Sequence, residues 1–191
     1  MDFLCTATAF ELTPTAVHYL TAAHCVMDPD RALVWQFDPR PIFLSDDSLP
    51  TRYFPVKPVR VGSPSRGLDF AILEGVRRDT VIVPLGDDRK ESAHVSVTNI
   101  AAVGGVGKIR LTGYVALMYS VHAMGPDMAH LWAGYMLLDL LGGDGSSGSA
   151  IISNDTGAII GIMIGHEGPM SCAMPISKMF HVPDGSLVQP K

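Results

Sequence analysis

The stretch "GGDGSSGSAII", Gly142 to Ile152, holds four glycines and three serines in its first eight positions and then turns apolar. A serine hydroxyl is unreactive at neutral pH unless a neighbouring base takes its proton, and a third group must hold that base in one tautomer. The oxyanion formed on attack needs preorganised backbone N–H donors, each contributing on the order of 10²–10³ in rate. A tight glycine-rich turn supplies such donors, because glycine admits dihedrals and close approaches that a Cβ forbids. "Gly145-Ser146-Ser147-Gly148-Ser149" has that make-up, with Ser147 as the candidate nucleophile. The base and its orienter belong elsewhere in the chain. "YLTAAHCV" places His24 on a turn at a strand end, and "RGLDFAIL" places Asp69 at the entry of an apolar strand, where a carboxylate can meet an imidazole. The order is His24, Asp69, Ser147, separated by 45 and 78 residues.

Short strand-like runs must carry these residues. They include "TATAFEL", "VHYLTAA", "ALVWQF", "PIFLS", "FPVKPVRVG", "DFAILEGV", "VIVPLG", "HVSVTNIAAVG", "KIRLTGYVALMYSVHAM", "HLWAGYMLLDL", "SAIIS", "GAIIGIMIG" and "MSCAMPI". All are rich in Val, Ile, Thr and aromatics, with Pro, Gly, Asp and Asn between them. A hairpin is expected over 119–135 around Gly125-Pro126-Asp127, and only "TAAHCVMD" and "ISKMFHV" read as helical. A composition break at "LGDDRKESAH", 85–94, divides the chain into two β-halves, which points to all-β barrels rather than a βαβ sheet. The composition is 47% apolar and 17% charged over 191 residues, enough for a substantial core and unlike a disordered chain. Net charge −5 with scattered Lys and Arg argues against nucleic acid as a partner. No run reaches the roughly 18 apolar residues of a membrane span, and "MDFLCTATAFEL" does not read as a signal peptide. That favours an intracellular protein, or a domain excised from a larger chain.

"LTAAHC", "LDFAIL" and "GSSGSAII" together resemble the three signature segments of the trypsin-like (chymotrypsin-fold) serine proteases. "PLGDD" and "LLDLLGGDGSSGS" are similar to segments of the bacterial high-temperature-requirement and glutamyl-endopeptidase branches, and "GAIIGIMIG" with "CAMPIS" looks like the strand pair lining the cleft. The resemblance spans residues 5 to 181. It implies two orthogonal six-stranded antiparallel β-barrels with a short C-terminal helix. Residues 1–90 would carry His24 and Asp69, residues 91–182 would carry Ser147 and the specificity pocket, and 183–191 would be a tail. It also implies an oxyanion hole made by the N–H groups of Gly145 and Ser147. Leu141 would lie near the pocket base, with Met163 and Ile164 on one wall, Ser171 to Ala173 including Cys172 on another, and His166 at the rim. Such walls would suit a small or medium apolar side chain. Secreted members bridge the cysteine after the histidine to one on the preceding strand, which would pair Cys25 with Cys5 and leave Cys172 over. The missing signal peptide favours the reduced form of that pair. Digestive members have Asp before the nucleophile to receive a freed N-terminal amine; Ser146 stands there, so activation of that kind is not expected.

Other readings are weaker. A nucleophile elbow needs glycine two residues after the serine, but Ser149 occupies that place, and only His166 and His181 follow Ser147. A zinc site of Cys5, His24, Cys25 and Cys172 has no paired-ligand spacing behind it. His18, His94, His122 and His130 read as ordinary strand positions, and the ten methionines as core filler. The expectation is therefore a cofactor-free serine endopeptidase acting on a polypeptide substrate. The alternatives are a catalytically silent peptide-binding module of the same fold and a processing domain cut from a polyprotein.

Overall fold

A computed structural model describes residues 5–27, 42–45, 52–103, 107–120, 134–167 and 169–180. The first half contributes β1 (Thr8–Leu12), β2 (Ala16–Thr21), β3 (Ile42–Ser45), β4 (Tyr53–Val61) and β5 (Ala71–Val76). They form one antiparallel sheet in the order β1-β2-β5-β4-β3. The second half contributes β6 (Ser96–Ala101), β7 (Ile109–Ser120), β8 (Tyr135–Asp139), β9 (Ala150–Ser153), β10 (Ile159–Glu167) and β11 (Met170–Pro175). These close into a six-stranded barrel, β10-β11-β8-β7-β6-β9, and a short helix, α1 (Ile176–Phe180), follows. The all-β class, the closed barrel and the short helix agree with the sequence reading. The first half has five strands, not six, among the described residues. The strand expected at "ALVWQF", 32–37, lies outside them, as do the tip of the 119–135 hairpin, His122, His130, His181 and the tail.

Side-chain alternation sorts the apolar residues into three layers. In β2 and β5, Val17, Tyr19, Ala71 and Leu73 face a core inside the first sheet. Val97, Met136, Leu138, Ile151 and Met163 fill the second barrel. Leu20 and Ile72, with Phe70 just before β5, turn the other way and meet Tyr135, Ile162 and Met174 between the halves. β5 is therefore apolar on both faces, because both are covered. Each Val, Leu, Ile, Phe or Met side chain fully buried in these layers stabilises the fold by about 1.5–3 kcal/mol.

Two devices tie the halves together. Asp88 is fully buried, and its carboxylate accepts from Tyr119 Oη (2.8 Å), Ser177 N (2.6 Å) and Ser177 Oγ (2.7 Å), fixing the start of α1. From β4, Arg60 donates to the Met179 carbonyl at 3.1 Å and lies 5.4 Å from the ring centres of both Phe70 and Phe180. The expected strand "VIVPLG", 81–86, is instead an extended connector with one isolated bridge, Leu85 to Ile159. Val83 N donates to Ala9 O (3.0 Å) and Ile159 N to Pro84 O (2.8 Å), so the segment bonds alternately to each half rather than continuing one sheet.

Cys5 and Cys25 are joined by a disulfide, so the reduced pair favoured from the sequence is not the state the structure holds. The reason is register. Thr8 pairs with Leu20 across β1 and β2, so three residues further back the chain lies against the turn that follows β2. Closing a loop of this separation, 20 residues, stabilises by about 3 kcal/mol.

Candidate active site

His24 sits on a 3₁₀ turn, Ala23–Cys25, which β2 enters directly. Asp69 arrives on a compact turn after β4. There Gly62 N donates to Phe70 O (2.8 Å), Leu68 N to Ser63 O (3.0 Å) and Gly67 N to Pro64 O (2.8 Å). These two turns bring Asp69 against His24 twice. The His24 backbone N–H donates to Asp69 Oδ1 at 2.9 Å, and the ring Nδ1 is 2.7 Å from Asp69 Oδ2. A carboxylate only accepts, so Nδ1 carries the proton and Nε2 keeps its lone pair. The Asp69 side chain is 13% exposed and that of His24 31%. Burial acts to lower the His24 pKa, but the hydrogen bond and charge of Asp69 outweigh it and hold the group above 6.5.

Tyr135, on β8, reaches under this pair. Its hydroxyl donates to Gly67 O at 2.7 Å, two residues from the carboxylate. Burial first, and the nearby Asp69 charge second, push the Tyr135 hydroxyl's pKa far up, so it stays a neutral donor. The second barrel thereby grips the turn that carries Asp69.

The three serines of the glycine loop differ in what their hydroxyls do. Ser146 is buried and donates to Gly143 O (2.6 Å), while Gly143 N returns a bond to Ser146 Oγ (3.1 Å). Ser149 is buried, donates to Ser146 O (2.5 Å) and accepts from Asn99 Nδ2 (2.7 Å). The half-buried Ser147 hydroxyl has no hydrogen-bond partner among the described residues, His24 included. Backbone donors divide in the same way. Ser146 N, Gly148 N and Ser149 N are committed to Gly143 O, Met163 O and Ser146 O, at 2.9, 2.7 and 3.0 Å. Gly145 N and Ser147 N donate to nothing among the described residues.

The loop is stitched to the His24 turn. Thr6 N donates to Ser147 O (2.8 Å), Thr6 Oγ1 to Gly145 O (2.8 Å) and Thr21 Oγ1 to Thr6 O (2.8 Å). The Cys25 sulfur lies 3.9 Å from Ser147 O, a plain contact because a disulfide sulfur carries no proton. Gly148 adopts φ +81, and a Cβ there would fall 2.1 Å from Thr21 Oγ1, 2.4 Å from Thr6 O and 2.8 Å from Ala22 N. Only glycine lets the loop come this close, two residues from His24.

The residues expected around the pocket lie as follows. Met163 is fully buried in the barrel core, and its backbone serves the loop instead, accepting from Gly148 N and donating to Ser149 O (2.8 Å). Ile164 and Cys172 are packed in the layer between the halves, and burial pushes the Cys172 thiol's pKa up to about 12. Ser171 is spent on Leu140 O (2.6 Å). Leu141, expected near a pocket floor, is 63% exposed. His166 is exposed and abuts Gly142, where a Cβ would lie 2.9 Å from His166 Cβ and 2.8 Å from Ser171 Oγ. The four-ligand zinc set does not assemble, since Cys5, His24 and Cys25 group without Cys172, a buried free thiol. His18 also meets carboxylates, Glu11 Oε2 at 2.6 Å and Glu74 Oε2 at 3.4 Å, but as a cross-strand ladder on the sheet face.

Residues 7–162 match the family model described as a trypsin-like peptidase domain. The chain belongs to that family. No curated protein matches it. Among solved structures it is similar to the HtrA-type protease AlgW with decapeptide, at TM-score 0.69 and 18% identity, covering 92% of this chain and 49% of that one. It is likewise similar to the serine endoprotease from Yersinia pestis, at TM-score 0.66 and 16% identity, covering 95% and 57%. At such identities the likeness is one of fold, and this trypsin-like chain spans about half the length of those structures. Thr6, Tyr135 and Asn99 were not singled out from the sequence. Each acts across 50 or more residues of chain, as in the Thr6–Gly145 bond, and none lies in a distinctive motif.

Proposed function

We propose that the chain is a serine endopeptidase in which residues 1–90 supply His24 and Asp69 and residues 91–182 supply Ser147. Ser147 attacks the scissile carbonyl, and His24 Nε2 takes its proton and returns it to the leaving amine. The acyl-enzyme on Ser147 is then hydrolysed by water activated in the same way. Asp69 holds the tautomer and stabilises the imidazolium. The N–H groups of Gly145 and Ser147 receive the oxyanion.

The observation that carries this reading is the pair of hydrogen bonds that the His24 ring and backbone donate to the Asp69 carboxylate. One hydroxyl of the three loop serines and two backbone N–H groups, left without partners among the described residues, support the same reading. The Ser147–His24 hydrogen bond is the element to be completed, and catalytic bonds in unliganded sites commonly tighten only when substrate binds. The Ser146–Gly143 bonds support a loop shaped without an ion pair to a terminal amine. The substrate is a polypeptide, as for AlgW with decapeptide. Met163, Ile164 and Cys172 carry no charge, which favours a small or medium apolar side chain before the scissile bond.

A fluorophosphonate probe tests the assignment. It should label the wild type and not Ser147→Ala, with matched thermal transitions for the two. Equal labelling of both, or none of the folded wild type, refutes the role of Ser147 and leaves a silent peptide-binding module of the same fold.

A further inference from the structure

The residues beside the catalytic imidazole make up a second chemistry. One ring nitrogen of His24 and the sulfur atoms of Cys5 and Cys25 lie within 4.8 Å of one another, and all three residues are only half buried. We propose that reduction of the Cys5–Cys25 disulfide turns this cluster into a zinc site, and that zinc bound there shuts the peptidase off. The inhibitory half of this statement rests on the proposed role of His24.

The donor set is two thiolates and one imidazole, which zinc takes at about 2.3 Å and about 2.0–2.1 Å in a tetrahedron, with water in the fourth place. Two thiolates on such an ion stand roughly 3.8 Å apart, so the two sulfurs must separate once the bond between them is cut, while the His24 ring nitrogen, already within 4.8 Å of both, needs to approach by only about 1 Å. While the disulfide is intact both sulfurs are covalently satisfied and no thiolate exists. A phosphine or dithiol reductant supplies two electrons, and two protons complete the thiols as the S–S bond breaks. The phosphine leaves as its oxide, taking oxygen from water, and a dithiol leaves as its own disulfide. Zinc then displaces both thiol protons.

Occupancy and catalysis exclude each other through His24. Coordination by Nε2 uses the lone pair that the Ser147 proton needs. Coordination by Nδ1 displaces Asp69 from its 2.7 Å bond. Either way the base is lost. In the first case Asp69 would also support the metal ligand, as carboxylates behind zinc-bound histidines do, which strengthens binding by about 10–100-fold.

The test uses the full chain reduced with a water-soluble phosphine and titrated with Co²⁺, then Zn²⁺. Reduced wild type and reduced Ser147→Ala should each bind one Co²⁺ with a thiolate-to-metal charge-transfer band, displaced by Zn²⁺. The oxidised protein and the reduced Cys5→Ser/Cys25→Ser double variant should show no band. Reduced His24→Ala should bind at least tenfold more weakly. Zinc at micromolar concentration should cut fluorophosphonate labelling of reduced wild type at least tenfold, reversed by a chelator, and leave the oxidised protein unaffected. Absence of the band, an equal band in the double variant, or full labelling of the zinc-bound form overturns the proposal. Should reduction loosen the fold, zinc must raise the melting temperature of the reduced wild type and not of the double variant; no rise also overturns it. If no form is labelled, the peptidase reading fails while the cobalt titration still decides the metal site.

Discussion

Replacing Gly148 by alanine separates the cost of an unusual backbone angle from the cost of a lost approach. Gly148 and Gly157 both lie in the left-handed region, at φ +81 and +69. Nothing stands within 4 Å of a Cβ built on Gly157, so Gly157→Ala should cost only the left-handed term, about 1–2 kcal/mol. In a chain of this size that lowers the melting temperature by about 2–8 °C. At Gly148 the Cβ would overlap Thr6 O at 2.4 Å and Ala22 N at 2.8 Å, both backbone atoms that no rotamer change can move, besides Thr21 Oγ1 at 2.1 Å. Overpacking of this kind adds about 1–3 kcal/mol, for a total of roughly 2–5 kcal/mol and a fall of about 4–20 °C. Relief is available by pushing the loop off β2, which withdraws Ser147 from the His24 turn. Displacement of about 1 Å costs on the order of 10² in rate. Differential scanning calorimetry and fluorophosphonate labelling rates on the two variants read both effects. Gly157→Ala should label like wild type, and Gly148→Ala at least a hundredfold more slowly. Equal labelling by the two variants would refute the view that this glycine sets the distance between the halves of the site.

Labelling of the wild type should rise with pH through a His24 pKa above 6.5, because only neutral imidazole accepts the proton. Stability runs the opposite way: a folded pKa above the unfolded one contributes fully below about pH 6.5 and is lost as pH climbs through the folded value. Asp69→Asn should cut the labelling rate by about 10⁴. It should also move the limb to lower pH, since burial then acts on His24 unopposed; a limb that stays put, measured across pH 5–9, contradicts the assigned cause. Tyr135→Phe leaves the Gly67 carbonyl without its donor and should destabilise by about 1–3 kcal/mol in urea unfolding. The same change should slow labelling, while an unaltered rate would show that Tyr135 does not position Asp69.

The candidate residues His24, Asp69 and Ser147 were legible because each announces itself locally. A glycine-rich break between apolar runs, a histidine after a small-residue turn and an aspartate at a strand entry are features of a few neighbouring residues. Strand alternation likewise made the all-β class readable, although the "VIVPLG" run shows its limit. That run is apolar because it lies between the halves, not because it pairs along its length.

The facing of the β10 side chains was not legible, for a geometric reason. Counting alternation along β10 fails at two slips of register, between Ile159 and Gly161 and between Met163 and Gly165. One extra residue exchanges the faces of all that follow, so sequence could not say which of Met163 and Ile164 fills the barrel and which packs between the halves. The sequence thus determined which residue types the chain offers for chemistry and the period of the elements bearing them, because both follow from neighbours along the backbone. Only the tertiary structure decided that one of the three loop serines keeps a hydroxyl without a partner among the described residues, that the Cys5–Cys25 pair is oxidised and that Tyr135 holds the turn carrying Asp69. Those facts depend on which distant atoms satisfy which hydrogen bonds, and that competition is resolved when the two halves pack.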